Sequence, residues 1–363
     1  MSSRAEVEAV VIGAGVVGVA IARGLAMRGV ETVVVERCAL AGQGISSRNS
    51  EVVHAGFYYE KDSLKERLCL AGKAMLYDYC QEKEVACKKV GKLLVATADD
   101  QLDGLRALET NARRASVEMH RLTREEAERL EPEVQCVEAL FSPTTGVVDS
   151  HGFLQALLAD AEANGAVVAY RSRVMRADID DDEKTVLEIM DEEDKETTRL
   201  VATKIAVNAA GLYAANLVRS KLSFAKGNYF SCKRRPFTHL VYPLPDPRGG
   251  LGVHATVGLD GSVKFGPDLE FLHENIHPDD IDYTVDKQRA PSFYDAIRRY
   301  YPGLQNGDLQ PDYSGVRPKL LHYKDFNIVR HHRTFVSLLG IESPGLTASM
   351  AIADNLINNY CEL

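Results

Sequence analysis

Three glycines near the amino terminus have the spacing of a phosphate-binding turn. Gly13, Gly15 and Gly18 lie between an apolar run predicted as a strand and a second run predicted as a helix. In such a turn the first glycine allows a tight bend, the second lets the backbone approach a pyrophosphate, and the third lets the helix pack closely on the sheet. The amino end of the helix adds free N–H groups and a positive dipole. The spacing therefore predicts a dinucleotide-binding site.

An acidic side chain closes the next predicted strand. Glu36 follows the apolar run Val33–Val35 and lies 18 residues after Gly18. An acid that hydrogen-bonds ribose hydroxyls is expected roughly 20 residues beyond the glycines. A carboxylate at this position would repel a 2′-phosphate. Strand, turn, helix, second strand and terminal acid agree with one another, so the pattern is much more specific than a glycine triplet alone.

A second glycine-rich turn lies near the carboxyl terminus. A predicted strand ends at Leu339, and a predicted helix begins near Thr347. Reduced flavin carries negative charge that backbone N–H groups and a helix dipole can stabilise. If the helix points at the flavin ring, the residues placed to do this are Gly340, Gly345, Leu346 and Thr347. A plain connection between strand and helix is the alternative, but together with the first turn the pattern favours a flavin over a nicotinamide.

The elements that would position these turns occur in three separated parts of the chain. A predicted strand at Leu200–Val207 runs into the small residues Asn208–Gly211, whose backbone can pack against the first turn. Residues 226–271 show short β-like runs without a helical period. We predict an α/β fold with a Rossmann-like domain built from discontinuous segments, plus a substrate domain with an antiparallel sheet. The predicted segments are 1–86, 143–222 and 311–363 for the first domain, and 87–142 and 223–310 for the second.

Composition excludes several classes of function. The 363 residues carry a net charge of −9, which disfavours nucleic acid as a partner. The longest uncharged apolar run, Ala9–Ala22, has 14 residues, whereas a membrane span needs roughly 20. Seven cysteines without a C-x-x-C pair indicate a reducing intracellular compartment. The amino terminus resembles neither a secretory signal nor an Arg-rich transit peptide, so a cytoplasmic location is expected. No histidine cluster forms a convincing metal-ligand set.

Five blocks of sequence, spread in order over almost the whole chain, resemble a known family. The blocks are Ser47–Tyr59, Gly250–Thr256, Lys264–Asp268, Tyr313–Lys319 and Gly340–Thr347. They are similar to the D-amino-acid-oxidase-like superfamily of FAD-dependent oxidoreductases, and within it to the L-2-hydroxyglutarate dehydrogenase family. Related glycerol-3-phosphate dehydrogenases carry similar segments, so the blocks specify the superfamily better than the substrate. The family often has glycine where this chain has Glu51.

The resemblance implies FAD bound in an extended conformation in the first domain. The three glycines of the first turn would hold the pyrophosphate, and Glu36 the adenosine ribose. Ser46, Ser47 and Asn49 would approach the flavin-side phosphate and the ring, and Val174 would offer its backbone to the adenine, unless it is an ordinary core valine. The implied cofactor-binding residues are Gly13, Gly15, Gly18, Glu36, Arg37, Ser46, Ser47, Asn49, Val174, Ala210, Gly211, Gly340, Gly345, Leu346 and Thr347.

The implied reaction is hydride transfer from C2 of an L-2-hydroxy acid, above all L-2-hydroxyglutarate, to flavin N5. It needs a base, a cation for the carboxylate and exclusion of water. His54 and His254 are the candidate bases, because imidazole accepts a proton near neutral pH; a structural histidine is the alternative. Arg317 is the candidate carboxylate clamp, because its planar fork matches a carboxylate; a surface ion pair is the alternative. Three further residues could reach a second carboxylate: Lys226, Tyr58 and Tyr242.

Other functions stay open from the sequence. A related flavoenzyme could act on glycerol-3-phosphate or a secondary amino acid, and an FAD-binding redox sensor could lack turnover. An ordinary NAD dehydrogenase would not need the carboxyl-terminal turn and helix. Oxygen, a quinone and an electron-transfer flavoprotein are all open as electron acceptors. By family analogy, the location would be mitochondrial if the source is eukaryotic.

Overall fold

The computed structural model describes residues 4–245, 252–321 and 323–361. Gly250 and Leu251, from the second block of resemblance, lie outside the described residues. The helices in these ranges are α1 Val16–Ala26, α2 Leu64–Glu82, α3 Leu102–Arg114, α4 Arg124–Leu130, α5 Ser150–Ala163, α6 Ala290–Ile297 and α7 Gly345–Tyr360. The strands are β1 Arg4–Ile12, β2 Thr32–Val35, β3 Val52–Val53, β4 Cys87–Lys88, β5 Lys92–Ala96, β6 His120–Thr123, β7 Glu138–Ser142, β8 Gly146–Val148, β9 Val167–Ala169, β10 Ser172–Ile179, β11 Thr185–Asp191, β12 Thr197–Asn208, β13 Leu222–Cys232, β14 Leu240–Pro243, β15 Ala255–Val257, β16 Val263–Phe265, β17 Glu270–Phe271, β18 Leu309–Leu320, β19 Asn327–His332 and β20 Phe335–Leu339.

An eight-stranded sheet contains the dinucleotide-type elements. Its order is β10-β11-β12-β1-β2-β9, and β20 pairs with the end of β12 and with β19. Strands β9, β2, β1, β12 and β20 run parallel. Alternate residues of β1 face two different cores, since Ala9 and Val11 pack with α1, α5 and α7 while Val10 and Ile12 pack with β11. Burial on both faces is typical of parallel strands with apolar sequences.

A nine-stranded sheet forms the second large layer. Its order is β17-β13-β16-β15-β14-β5-β7-β6, and β18 pairs with β13. Every pairing is antiparallel except that of β5 with β14. Its core is rich in aromatic side chains, among them Phe230, Phe265, Phe293 and Tyr300. A mixed α/β fold, with one sheet that has a parallel centre and one largely antiparallel sheet, confirms the predicted fold class.

The strand order bears on the predicted segments. The parallel strands come from residues 4–35, 167–208 and 335–339, which are three separated pieces of the chain. β18 pairs with β13 over most of its length, so strand pairing groups residues 311–320 with the second sheet and not with the third segment that was predicted to begin at 311. The division into two domains stays a prediction.

Two contacts connect the carboxyl-terminal helix to the rest of the fold. Helix α7 packs against α1 and α2, and its apolar residues join the core of the first sheet. A Cβ at Gly72 of α2 would overlap the backbone of Thr347, so this glycine permits the close approach of the two helices. No helix in the described part of the chain is both long and apolar enough to cross a membrane.

Candidate active site

A cavity of about 1340 Å³ is lined by residues from both large sheets. Pockets for single small molecules have volumes of about 300–1,000 Å³, so this one has room for a dinucleotide and a small substrate. Of the residues predicted from the sequence, those that line the cavity are Gly13, Gly15, Glu36, Arg37, Ser46, Asn49, His54, Val174, Ala210, Gly211, His254, Arg317, Gly345 and Leu346. Four others, Gly18, Ser47, Gly340 and Thr347, do not line it.

The glycine turn at one end of the cavity is closely packed. Gly13 has a φ of +100°, and a Cβ added to it would lie 2.8 Å from the carbonyl oxygen of Ala209. A Cβ at Gly18 would overlap the carbonyl oxygen of Gly13. Gly18 therefore does not contact the cavity, but its lack of a side chain allows α1 to lie against the turn. This is the packing role predicted for the third glycine. The predicted contact between the two small-residue turns is also present, because the Ala209 N–H donates to Ile12 O at 3.0 Å.

The Glu36 carboxylate stabilises this turn directly. One oxygen accepts the Ala14 N–H at 2.7 Å, and the other accepts the Cys38 N–H at 2.8 Å. Each carboxylate oxygen has a further lone pair, so the side chain can still accept from a ribose hydroxyl. The role at the ribose stays a prediction, whereas the structural role in the turn is visible.

A charged cluster follows Glu36 along the cavity wall. Arg37 contacts Asp279 at 2.7 Å and lies over the ring of Tyr213 at 4.3 Å. Its second terminal nitrogen, Nη1, is buried and lacks a hydrogen-bond partner among the described residues. A buried guanidinium N–H without a partner is costly unless an acceptor approaches it. This end of the cavity is therefore suited to an anionic or oxygen-rich ligand.

The serine-rich loop after β2 approaches the cavity through two of its three predicted residues. Ser46 Oγ accepts the Val16 N–H at 2.9 Å, and the Asn49 amide donates to Ser46 O at 2.7 Å. Ser47 is exposed, donates to Gly44 O at 2.9 Å and lines a smaller neighbouring cavity instead. The neighbouring residues Ser46 and Ser47 thus face different cavities. The composition of the loop alone does not reveal this difference.

The first turn of α7 reaches the cavity as the sequence suggested. The helix begins at Gly345, and Gly345 and Leu346 line the cavity wall. The Gly345 N–H donates to Glu342 O at 2.6 Å, so the amides that follow it in the first turn are the ones that a ligand could meet, since such amides have no intrahelical partner. Gly340 serves the bend before the helix, with a φ of +66°. Thr347 is buried, and its Oγ1 accepts the His54 N–H at 3.0 Å, which joins the helix to the candidate base.

Both candidate bases, His54 and His254, line the cavity and are held in the neutral form. Burial, together with the positive charges of Lys92 and Arg317, holds the pKa of His54 well below its ordinary value. Burial and the same two cations lower the pKa of His254 to about 3. The His54 Nε2 atom lies 3.1 Å from Ser343 Oγ. A neutral imidazole can accept a proton, so both rings are in the form that a base requires.

The lowered pKa of His254 has a measurable effect on stability. Below pH 6.5 the unfolded chain binds a proton at this residue that the folded chain does not bind. The free energy of unfolding therefore decreases as the pH is lowered. Between pH 6.5 and pH 5.0, the contribution of this one residue is about 1.5–2 kcal/mol. Guanidinium chloride unfolding at the two pH values measures this effect. Between pH 6.5 and pH 5.0, we expect His254→Asn to lose less free energy of unfolding than the unmodified protein, by this amount. Equal losses in the two proteins would contradict a neutral buried His254.

Most cations on the cavity wall already have a carboxylate partner. Lys65 and Lys319 both contact Glu342, at 3.1 and 3.2 Å. Burial alone would raise the pKa of Glu342, but the two lysines outweigh it and lower that pKa.

The charge of Arg317 acts on the Tyr229 phenol and also helps the two lysines to lower the pKa of Glu342, but no carboxylate of the described residues lies within ion-pair distance of it. Its guanidinium is thus able to bind a carboxylate ligand, as is that of Arg48, which lies over the Tyr283 ring on the same cavity wall.

The three residues proposed for a second carboxylate have different positions. Tyr58 and Tyr242 line the cavity. Lys226 does not, since its ammonium donates to Thr284 O at 2.7 Å away from the cavity wall. The sequence analysis missed Ser343, next to His54, and Lys92, a buried lysine near both histidines. A lysine opening the otherwise apolar run Leu93–Ala96 was the available signal for the latter.

Glu51 occupies a backbone position that favours glycine. Its φ is +59°, in the left-handed region that a side chain disfavours. Its carboxylate accepts the Ser150 hydroxyl at 3.0 Å, and its N–H donates to the Asn49 side chain at 2.6 Å. The glycine expected here by resemblance is therefore explained by the backbone, and local hydrogen bonds hold Glu51 in its place.

The cavity fits an extended dinucleotide on three observations. Glycines without room for a Cβ form its phosphate end, a buried arginine nitrogen without a partner lies beyond Glu36, and the first turn of α7 lies at the other side beside His54. Among the described residues, no group of three or more metal-ligating side chains is close enough to hold a metal ion.

Comparisons with known proteins agree in fold and family. A profile described as FAD dependent oxidoreductase (DAO) matches residues 8–358. The mitochondrial L-2-hydroxyglutarate dehydrogenase of Arabidopsis thaliana is 39% identical, over 99% of this chain and 84% of that protein. The L-2-hydroxyglutarate dehydrogenase of Salmonella houtenae is 27% identical, over 96% and 92%. Dithionite-reduced L-α-glycerophosphate oxidase of Mycoplasma pneumoniae with FAD bound has a TM-score of 0.87 at 23% identity, over 98% and 96%.

Proposed function

The chain belongs to the FAD-dependent oxidoreductase (DAO) family, and from this premise we propose that it oxidises L-2-hydroxyglutarate to 2-oxoglutarate. Family membership confirms the resemblance seen in the sequence and makes FAD the cofactor. When bound, FAD supplies the acceptor for the two electrons that leave C2 of the substrate. The observation that carries the proposal is the convergence of His54, Arg317 and the start of α7 on one cavity.

We assign FAD to the residues that form the long side of the cavity. The glycine turn and the amino end of α1 would hold the pyrophosphate, with Glu36 and Arg37 beside the adenosine ribose. Val174 pairs with Ile189 beside an irregularity in the pairing of β10 with β11 and lines the cavity, so it would border the adenine. Ala210 and Gly211 would border the middle of the cofactor.

We assign the proton of the substrate hydroxyl to His54. Its Nδ1 atom is enclosed by protein and has no partner among the described residues, whereas Nε2 meets a hydroxyl at 3.1 Å. Nδ1 is thus the ring nitrogen without a partner in the described part of the chain, and Nε2 is shared with the Ser343 hydroxyl. The hydrogen bond from the His54 N–H to Thr347 fixes the residue relative to α7. His254 lines the same cavity and is a second candidate for this role.

We assign the substrate's C1 carboxylate to Arg317. Charge-assisted hydrogen bonds to a carboxylate each contribute about 1.5–3 kcal/mol. We expect Arg317→Met to lower kcat/KM about 10- to 100-fold, chiefly through a higher KM, in steady-state assays. Arg317→Lys keeps the charge but loses the planar fork of the guanidinium. Its kcat/KM should therefore lie between that of the unmodified protein and that of Arg317→Met. An unchanged KM in Arg317→Met would contradict the assignment.

A dye-linked dehydrogenase assay with a panel of substrates tests the proposed function. The panel contains L- and D-2-hydroxyglutarate, glycerol-3-phosphate, proline and glycine. We expect turnover of L-2-hydroxyglutarate with a kcat/KM at least about 10²-fold above the others, since a site built for polar groups rejects analogues that leave those groups unpaired. Preference for glycerol-3-phosphate or an amino acid would contradict the proposal and favour the related flavoenzymes. No turnover of any substrate would favour a redox sensor.

The proposed reaction specifies neither the electron acceptor that reoxidises the flavin nor the cellular location. An oxygen, quinone or electron-transfer flavoprotein acceptor is compatible with the proposed reaction. The relative from Arabidopsis thaliana carries a mitochondrial designation, and the cytoplasmic location expected for this chain stays a prediction.

A further inference from the structure

Lys92 is a lysine whose side chain is fully buried next to the cavity. It is the first residue of β5, a strand in which all five residues are buried, and it exposes 0% of its surface. Its Nζ atom has no hydrogen-bond partner among the described residues. Burial of an unpaired charge is strongly unfavourable unless a compensating charge approaches it. A structural role alone would be served better by an apolar side chain.

The ammonium of Lys92 is separated from the cavity by a single aromatic layer. Nζ lies 3.9 Å from the ring centre of Tyr242 and 5.4 Å from that of Tyr58, both of which line the cavity. Cation–π contacts of this kind hold a cation on the ring face. The opposite neighbour of the Tyr242 ring is His254, stacked with centroids 3.6 Å apart and an angle of 9°. The charge of Lys92 is therefore close to any ligand that touches these rings.

The groups that face Lys92 give it no negative counter-charge. They are the Cys69 thiol of α2, the phenols of Tyr58 and Tyr242, and the imidazoles of His54 and His254, with Arg317 acting on the same histidines. Burial lowers the pKa of Lys92 to about 7, against which only the Cys69 thiol acts among the described residues. Within the described part of the chain, neither Lys92 nor Arg317 has a carboxylate at ion-pair distance, and both lie beside the same cavity.

We propose that Lys92 is a positioning residue that makes the site selective for a dicarboxylate. It acts through Tyr58 and Tyr242, because its charge favours a second carboxylate in contact with those rings. This inference rests on the proposed function for the identity of the substrate, and it assigns the residue that separates L-2-hydroxyglutarate from 2-hydroxy acids with one carboxylate. The attraction between the charge of Lys92 and a second carboxylate across a partly buried site is large enough to raise the affinity for a dicarboxylate about 10- to 30-fold.

The protonation of Lys92 adds a pH dependence to this selectivity. A bound anion favours the charged form of a neighbouring lysine, so a dicarboxylate should bind more tightly at pH 6 than at pH 8.5. Both carboxylates of such a ligand are ionised throughout this range. A monocarboxylate held by Arg317 should show little change, since arginine keeps its charge.

Binding of glutarate and of pentanoate to the oxidised holoenzyme tests the proposal without turnover. The two probes have five carbons and differ in one carboxylate, and their binding can be followed by the change in the visible flavin spectrum. Three variants are compared with the unmodified protein: Lys92→Met, Lys92→Arg and Lys89→Met. Lys89 is the matched control, because it is an exposed lysine over a tyrosine ring, Tyr77, at 4.9 Å.

We expect Lys92→Met to bind glutarate about tenfold or more weakly at pH 6 and to bind pentanoate as before. Lys92→Arg should keep tight glutarate binding and lose its pH dependence, because its charge persists at pH 8.5. Lys89→Met should behave as the unmodified protein. Equal losses for both probes in Lys92→Met, or no glutarate preference in the unmodified protein, would overturn the proposal.

Failure of this inference can be distinguished from failure of the proposed function. If glutarate selectivity depends on Lys92 but L-2-hydroxyglutarate is not oxidised, the charge assignment holds and the proposed reaction fails. If L-2-hydroxyglutarate is oxidised while Lys92→Met keeps both KM and glutarate affinity, the reaction stands and the role of Lys92 is refuted. If Lys92→Met does not fold, the loss of pH dependence in Lys92→Arg carries the test.

Discussion

Replacing His54 with asparagine is expected to lower kcat for L-2-hydroxyglutarate by about 10²–10⁴-fold while FAD stays bound. Removal of a positioned base typically has an effect of this size. Asparagine keeps a polar side chain and the backbone N–H that donates to Thr347 at 3.0 Å, so the connection to α7 should persist. The rate of flavin reduction in a stopped-flow experiment, with the flavin content of the purified protein, measures the effect.

The control for this substitution is His151→Asn. His151 is an exposed histidine of α5, and its replacement should leave the rate unchanged. A His54→Asn protein that keeps FAD and reduces it at nearly the normal rate would rule out His54 as the base. In that case His254, on the same cavity, would be the next residue to replace.

Replacing Gly18 with alanine is expected to abolish FAD binding. The added methyl group would overlap the carbonyl oxygen of Gly13, so α1 would have to move away from the turn that receives the pyrophosphate. Because backbone atoms and not a flexible side chain form the obstacle, a small local shift cannot relieve it. Flavin released by denaturation, divided by protein concentration, should fall from about one per chain to near zero.

Gly24→Ala provides the matched comparison for the loss of FAD. Gly24 lies in the same helix, α1, does not line the cavity, and a Cβ there would first meet the terminal methyl group of Ile357, which is the far end of a flexible side chain. Alanine is favoured over glycine by about 1 kcal/mol inside a helix, so this variant should keep a flavin content of about one per chain. A Gly18→Ala protein with normal flavin content would refute the phosphate-binding assignment of the turn.

Segments with a strong local pattern could be predicted from sequence. The strand predicted to end at Leu339 does so as β20, and the strand predicted at Leu200–Val207 lies within β12. The capping box that Thr123 and Glu126 form at the start of α4 also corresponds to a residue pattern visible in the sequence. In each case the signal is local, either a buried run or a cap, and needs no knowledge of the neighbouring chain.

Two long strands of the second sheet could not be predicted with their full lengths and their pairing. β18 contains Pro311 and Pro318, which normally argue against an interior strand, yet it pairs with β13 over most of its length. β13 mixes polar and apolar residues, such as Lys226 and Asn228, and is buried through most of its length without alternation. Both strands exist because of their pairing with each other, which is a tertiary property.

The site shows the same limit for individual side chains. Spacing indicated which turns would converge, and the contact between Thr347 and His54 bears this out. Spacing did not indicate that Ser47 would face away from the main cavity or that Lys92 would lie behind two of its tyrosines. The direction of a side chain in an irregular loop, and burial of a charge in a strand, depend on packing between distant segments.

Anaerobic addition of L-2-hydroxyglutarate to the purified holoenzyme tests the central claim most directly. The proposed function predicts rapid loss of the visible flavin absorbance with the L-enantiomer, formation of one 2-oxoglutarate per flavin, and no bleaching by D-2-hydroxyglutarate. An oxidised spectrum that persists with the L-enantiomer, or equal bleaching by the D-enantiomer or glycerol-3-phosphate, would contradict it.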